Sequence, residues 1–153
     1  MPVNEPLVHP DDVARVGRCL QEGWISSIGP YVAEFEEAWA GFCGRKHGVA
    51  VANGTVSLEL AIEALGIGPG DEVLIPSFTI VSCVLAVKAV GATPVFVDSE
   101  PVTWCMDVQQ AAARITPRTR AVMPVHIYGH PVDMDALLAA ARDAGVPGCR
   151  EQR

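Results

Sequence analysis

Apolar positions follow two different rhythms along the chain. In residues 10–22 and 31–42 they recur at every third or fourth position, which is the spacing of one face of a helix. Gly23 and Gly44 stand where these runs end, as glycine commonly does at helix C-termini. The pattern therefore predicts two helices, and the composition of residues 24–30 predicts a loop between them.

From residue 45 onward, short continuous apolar runs alternate with helical patterns. The predicted strands are 47–52, 72–76, 94–98 and 120–126, and the predicted helices are 56–65, 79–90, 107–115 and 133–144. Strands that are apolar along their whole length are typically buried on both faces. We therefore predict an α/β fold, with a mostly parallel sheet and helices on both faces.

The end of the chain departs from this rhythm. After Gly145 another buried strand is expected, but residues 146–153 read VPGCREQR. Pro147 and the charged residues that follow it oppose a buried strand. The prediction is a helical lead-in segment over 1–44, an α/β domain over 45–145 that is incomplete at its C-terminus, and an aberrant or truncated tail over 146–153.

Composition and charge narrow the function classes. The 153 residues are 50% hydrophobic, which is enough for a core. The net charge is −7, and the 11 Lys and Arg residues are scattered, which argues against binding to nucleic acid or to an anionic membrane. The longest uncharged stretch, 73–87, is too short to span a bilayer. The cysteines form no C-x-x-C pair, so neither a zinc site nor a disulfide framework is predicted, and a cytoplasmic location is expected.

The corner Asn53-Gly54-Thr55 lies between a predicted buried strand and a predicted helix. Ligands of open α/β sheets collect where strands end and helices begin. The N–H groups of Gly54, Thr55 and Val56 open the helix, so they and the helix dipole can hold a phosphate. Two plainer alternatives remain open at this point, namely a hairpin turn, which Asn-Gly favours, and a helix cap without a ligand.

Two further corners carry polar side chains. Ser77 or Thr79 is expected to cap the helix that follows the second predicted strand. His126 follows the fourth strand, where an imidazole can line a site. A hydrogen-bonded structural role is the alternative for His126, and it is favoured for His130.

Four stretches carry a resemblance to a known family. WISSIGPYVAEFEEAWA, VAVANGTVSLELAIEALGIGPGDEVLIPSFT, GATPVFVD and ITPRTRAVMPVHIYGHPVDMD resemble the DegT/DnrJ/EryC1/StrS family, in order, from about Glu5 to Gly145. Members are nucleotide-sugar aminotransferases that use pyridoxal 5′-phosphate. The resemblance implies part of the large domain of a fold-type-I pyridoxal-phosphate transferase. It also implies a homodimeric parent enzyme that moves an amino group from an amino acid, commonly glutamate, to a keto-sugar nucleotide, in deoxyamino-sugar or surface-polysaccharide biosynthesis.

The resemblance also suggests site residues. The motif that matches the Gly54 corner holds the cofactor phosphate, and Ile80 stands where many members stack an aromatic residue on the pyridine ring. The segment that includes Ser26 and Ser27 lies near the substrate in the family. The predicted site residues are Gly54, Thr55, Val56, Ile80 and His126 for the cofactor, and Ser26 and Ser27 for the substrate.

Two catalytic parts of the family pattern have no counterpart in these residues. The aspartate that pairs with the pyridine nitrogen belongs to the strand that VPGCREQR replaces, and the lysine that carries the cofactor as a Schiff base lies further downstream. Lys46 precedes the first predicted strand and Lys88 lies late in a predicted helix, so neither stands at the C-terminal end of a strand, where a Schiff-base lysine is needed. We therefore expect the chain alone to be inactive and unable to attach the cofactor covalently, as a truncated or frame-shifted product would be. The alternative is a non-catalytic, phosphate-binding or dimerising remnant.

Overall fold

The computed structural model describes residues 5–146, which divide between Ala50 and Val51 into two compact units. The division predicted between residues 44 and 45 stays a prediction. Of the predicted tail, 147–153 lie outside the described residues.

The first unit contains the two predicted helices, α1 (Pro10–Gln21) and α2 (Pro30–Phe42). At the start of α1, the Asp12 carboxylate accepts from the N–H of His9 at 2.9 Å, which satisfies a backbone donor at the helix end. Arg15 of α1 donates to Glu34 of α2 at 3.1 Å, an exposed ion pair. Residues 24–29 form the predicted loop between the helices, which is one residue shorter than predicted because Pro30 already begins α2.

The second unit is an α/β body with three parallel strands. Its elements in chain order are α3 (Gly54–Ala64), β1 (Glu72–Pro76), α4 (Ser82–Ala89), β2 (Thr93–Val97), α5 (Val108–Ala113), β3 (Thr119–Val122) and α6 (Met134–Asp143). The strand order is β2-β1-β3, and all the pairing is parallel. The predicted fold class is confirmed.

Two apolar clusters lie on opposite faces of β1, because successive side chains of a strand point in opposite directions. Val73 and Ile75 pack with residues of α3 and α4, whereas Leu74 packs with residues of α5 and α6. All three side chains are almost wholly buried. The central strand is therefore covered by helices on both sides, which explains its continuous apolar sequence.

The predicted strand over 47–52 is wrong, since these residues adopt no strand. A strand exists only in a hydrogen-bonded ladder, and no described strand pairs with this segment. The fourth predicted strand, 120–126, is shorter than expected and ends at Val122 as β3. Just after Val122 the Met123 N–H still donates to the Leu74 carbonyl at 2.8 Å. Pro124 has no N–H, so the pairing with β1 cannot continue beyond this bond.

The helix predicted over 79–90 begins three residues later, at Ser82. The expected caps are wrong as well, because Val81 holds the N-cap position and no side chain caps it. The Ser77 hydroxyl instead donates to the Asp98 carboxylate at 3.2 Å, and Thr79 contacts the Cys83 sulfur at 3.5 Å. No helix within residues 5–146 is both long enough and apolar enough to cross a membrane.

Asp107, the first residue of the helix predicted over 107–115, is the N-cap of α5. Its carboxylate accepts from the N–H groups of Gln109 and Gln110 at 2.9 and 3.0 Å. The Gln110 N–H, and then the Gln110 side chain, hold the pKa of Asp107 below its ordinary value. The ionised carboxylate is therefore the form that the folded chain prefers.

We expect Asp107→Ala to lower the free energy of unfolding by about 1 kcal/mol at pH 7, because one helix cap is lost. Asp107→Asn keeps a capping oxygen and is the matched control.

The stabilisation by Asp107 also depends on pH. Because folding lowers the pKa of Asp107, the charge-dependent part of the stabilisation is present above the unfolded-state pKa of about 3.9. It is lost as the pH falls through the pKa of Asp107 in the folded chain. Urea unfolding at pH 7 and pH 3 measures both effects. Equal losses in the two variants at pH 7 would contradict the capping role.

Candidate functional site

The N-terminus of α3 forms the first corner of the candidate site. Asn53 has extended backbone, and its side-chain oxygen accepts from the Val56 N–H at 3.1 Å. The N–H groups of Gly54 and Thr55 precede the first intrahelical bond and have no acceptor within the helix. They lie at the positive end of the α3 dipole, where an anion is stabilised.

A hydrogen bond joins this corner to the next one. The Thr55 hydroxyl donates to the Ser82 hydroxyl at 2.9 Å, which brings the first turn of α3 beside the first turn of α4. Both residues are half-buried. Two helix N-termini and two hydroxyl groups therefore converge on one small region of the second unit.

A cavity of about 390 Å³ opens at this junction. Its lining residues are Gly54, Thr55, Ser57, Leu58, Ile80 and Ser82. A Cβ built on Gly54 would meet no atom within 4 Å, so the backbone of Gly54 is open to a ligand. The Ile80 side chain is 65% exposed and provides an apolar wall. The structure thus brings together three of the predicted cofactor residues, namely Gly54, Thr55 and Ile80. Val56 follows Thr55 in α3 and does not line the cavity.

His126 is exposed, but one of its nitrogens is engaged. Nδ1 accepts from the Val132 N–H at 3.0 Å. An acceptor nitrogen carries no proton, so the neutral ring has its proton on Nε2 and can donate from there. His126 thus makes a structural hydrogen bond, which was the alternative to a role in a ligand site. Contact of His126 with a cofactor stays a prediction.

Ser26 and Ser27 lie in the exposed loop of the first unit. Nothing in that unit assigns them a ligand, and their substrate role stays a prediction. Lys46 and Lys88 are both exposed. Lys88 lies in the last turn of α4, about 9 Å along the helix axis from Ser82.

Ser82 is the site residue that the sequence pattern did not single out. It fell inside a helix predicted from residue 79, so its place in a first turn was hidden. Ser and Thr favour helix starts, but Ser77 and Thr79 carry the same signal, so residue type alone could not single out Ser82.

Comparison with known proteins identifies the family. The model of the DegT/DnrJ/EryC1/StrS aminotransferase family matches residues 6–148. This chain belongs to that family. A GDP-perosamine synthase from Caulobacter vibrioides is 52% identical over 124 residues, which cover 81% of this chain and 33% of that protein.

Solved structures agree with this family assignment. DesV of S. venezuelae has a TM-score of 0.81 at 42% identity, and the match covers 89% of this chain and 38% of the DesV chain. NtdA from Bacillus subtilis, with bound cofactor PMP, has a TM-score of 0.82 at 32% identity. That match covers 89% of this chain and 32% of the NtdA chain. The chain therefore spans about a third of the length of these relatives.

The family are pyridoxal-phosphate-dependent aminotransferases. The predicted resemblance, the enzyme class and the cofactor of the family are confirmed. The fold is part of the pyridoxal-phosphate transferase fold, with a small parallel sheet between helices.

Proposed function

We propose that this chain is the cofactor-phosphate-binding portion of an aminotransferase that acts on a keto-sugar nucleotide. The observation that carries the proposal is the α3 corner, where the free N–H groups of Gly54 and Thr55 and the hydroxyls of Thr55 and Ser82 converge on one cavity. Relatives named as sugar aminotransferases support the substrate class.

The donor set at this corner fits a phosphate. Backbone N–H groups at a helix N-terminus donate hydrogen bonds and present positive dipole charge, which are the two features that bind phosphate in proteins. Gly54 adds no side chain that would hold the anion away. The Thr55 hydroxyl, which donates to Ser82 at 2.9 Å, can donate to a phosphate oxygen instead.

Ile80 would hold the pyridine ring of the cofactor, since it lines the same cavity as Gly54 and Thr55. An aliphatic side chain covers a ring face through apolar contact but lacks aromatic stacking, a difference of about 0.5–1.5 kcal/mol. When bound, the cofactor would supply an electron sink that makes loss of the Cα proton of the donor amino acid feasible. The residues of this chain bind and orient the phosphate and exclude water from one ring face.

Proton transfer and covalent attachment require groups that these residues do not provide at the corner. Within the second unit, Lys88 is exposed at the far end of α4 from Ser82. We therefore infer that the 153 residues by themselves bind the cofactor without catalysing amino transfer. A homodimeric parent enzyme, a cytoplasmic location and a role in deoxyamino-sugar or surface-polysaccharide biosynthesis complete the proposal.

A turnover assay tests whether the chain binds the cofactor without catalysing amino transfer. The chain is incubated with pyridoxal phosphate, glutamate and a keto-sugar nucleotide, with a full-length GDP-perosamine synthase as the positive control. We expect no amino-sugar product above the buffer blank, together with retention of pyridoxamine 5′-phosphate in equilibrium dialysis. Amine product from the chain alone would contradict the inferred inactivity. Failure to retain the cofactor would contradict the binding role and favour a dimerising remnant.

A further inference from the structure

A second cavity lies beside the corner that follows β1. It measures about 440 Å³ and is bounded by Phe78 and Trp104 on its apolar sides and by Asp98 and Glu100 on its polar sides. Small-molecule sites commonly measure about 300–1,000 Å³, so the size suits a compact ligand. Ser82, Thr55 and Gly54 do not line it, and the proposed aminotransferase function assigns it no role.

Three aromatic rings cluster at this place. The Phe78 ring lies 5.7 Å from Trp104 and 6.4 Å from Tyr128, and both pairs are tilted by more than 50°. Phe78 is 41% exposed, Trp104 58% and Tyr128 85%. Phe78 and Trp104 therefore contribute exposed aromatic surface at the cavity, whereas Tyr128 does not line it.

Two of these rings stand on strained backbone. Trp104 has φ 64° and Tyr128 has φ 46°, the left-handed region that bulky residues avoid. Such conformations cost free energy and persist only where the surroundings impose them. Here the Trp104 N–H donates to the Glu100 carbonyl at 3.1 Å, and the Glu100 N–H donates to the Cys105 carbonyl at 3.0 Å. These bonds fix the backbone of the turn that carries the Trp104 side chain at the cavity wall.

The charge of the cavity is negative. Asp98 uses Oδ1 to accept from Ser77 and from the Ser99 N–H, and no described group donates to Oδ2. Hydrogen bonds from the Thr103 side chain, the Val102 N–H and the Thr103 N–H hold the pKa of Glu100 below its ordinary value, so that it is ionised at neutral pH. None of the cavity's lining residues is Lys, Arg or His.

We propose that this cavity binds a small organic cation through the faces of Phe78 and Trp104 and the carboxylate of Asp98. Aromatic faces carry negative charge density and attract ammonium groups, Trp most strongly. Two carboxylates add to that attraction, and they repel phosphates and free carboxylic acids. The ligand class is an alkylammonium compound, and the site is independent of the proposed aminotransferase chemistry.

Choline and its neutral isostere 3,3-dimethyl-1-butanol form the deciding pair of probes, because they share shape and differ in charge. The readout is the indole N–H resonance of Trp104 in ¹⁵N-labelled full chain, assigned with Trp104→Phe among the three tryptophans. We expect a saturable shift with choline and at least a tenfold weaker response to the alcohol. Equal affinities for the two probes, or no saturable shift with choline, would overturn the proposal.

Variants separate the ring from the charge. Because glycine accepts positive φ, Trp104→Gly removes the ring without adding strain, and the dissociation constant for choline, followed by titration calorimetry, is expected to rise more than tenfold. Asp98→Asn is expected to raise it at least threefold. Asp135→Asn removes a charge on the exposed surface of α6 and should leave it unchanged. An equal loss in Asp98→Asn and Asp135→Asn would show that only net charge matters and would contradict the site.

Discussion

Gly54→Val is expected to weaken the binding of pyridoxamine 5′-phosphate to the chain at least tenfold. The Cβ position of Gly54 opens into free space at the cavity that the α3 corner borders, so two methyl groups there would occupy the volume that a phosphate needs. The substitution also shields the N–H groups that donate to the anion. Isothermal titration at fixed ionic strength measures the effect.

The matched control for this prediction is Gly17→Val. Gly17 lies in α1, where an added Cβ also meets nothing within 4 Å, so the control has the same change of side chain in a helix away from the cavity. Its affinity should equal that of the unmodified chain. Thr55→Val, which keeps the shape and removes the hydroxyl, should fall between the two. Unchanged binding in Gly54→Val would exclude the corner as the phosphate site.

Leu74→Ala is expected to cost about 2–5 kcal/mol of unfolding free energy, the range for truncation of a buried leucine. Leu74 is fully buried at the centre of β1 and packs in the cluster that holds α5 and α6 to the sheet. Its backbone also accepts from Met123 at the end of β3. The small sheet has few other residues that can move into the cavity left by the missing leucine side chain. We therefore expect much of the chain to unfold.

Leu85→Ala is the control for this core prediction. Leu85 belongs to α4 and is 51% exposed, so the same truncation removes about half as much buried surface or less. Guanidinium unfolding followed by far-UV circular dichroism compares the two variants. Equal losses of stability would contradict the central place of β1 in the core.

Sequence patterns predicted best those features that depend on nearby residues. β1 matches its predicted range because its apolar run is bounded by Asp71 on one side and by Ser77 on the other. Asp107 and Asp133 cap α5 and α6, since a short carboxylate can reach N–H groups two or three residues ahead. The parallel sheet followed from continuous apolar strands, which are stable only when helices cover both faces.

Features that depend on distant residues could not be predicted in the same way. Residues 47–52 have the composition of a strand, but a ladder needs a partner strand that no local pattern supplies. The Thr55–Ser82 bond joins residues 27 positions apart. The left-handed backbone of Trp104 arises from the fold of its turn, because intrinsic preference opposes it.

The central claim is that the α3 corner recognises the phosphate of the cofactor. Amide chemical-shift mapping with pyridoxamine 5′-phosphate and with pyridoxamine tests it on the unmodified chain, and neither probe carries an aldehyde that reacts with lysine. We expect saturable shifts at Gly54, Thr55 and Val56 with the phosphorylated probe and none with pyridoxamine. Shifts confined to other residues, or equal responses to both probes, would contradict it.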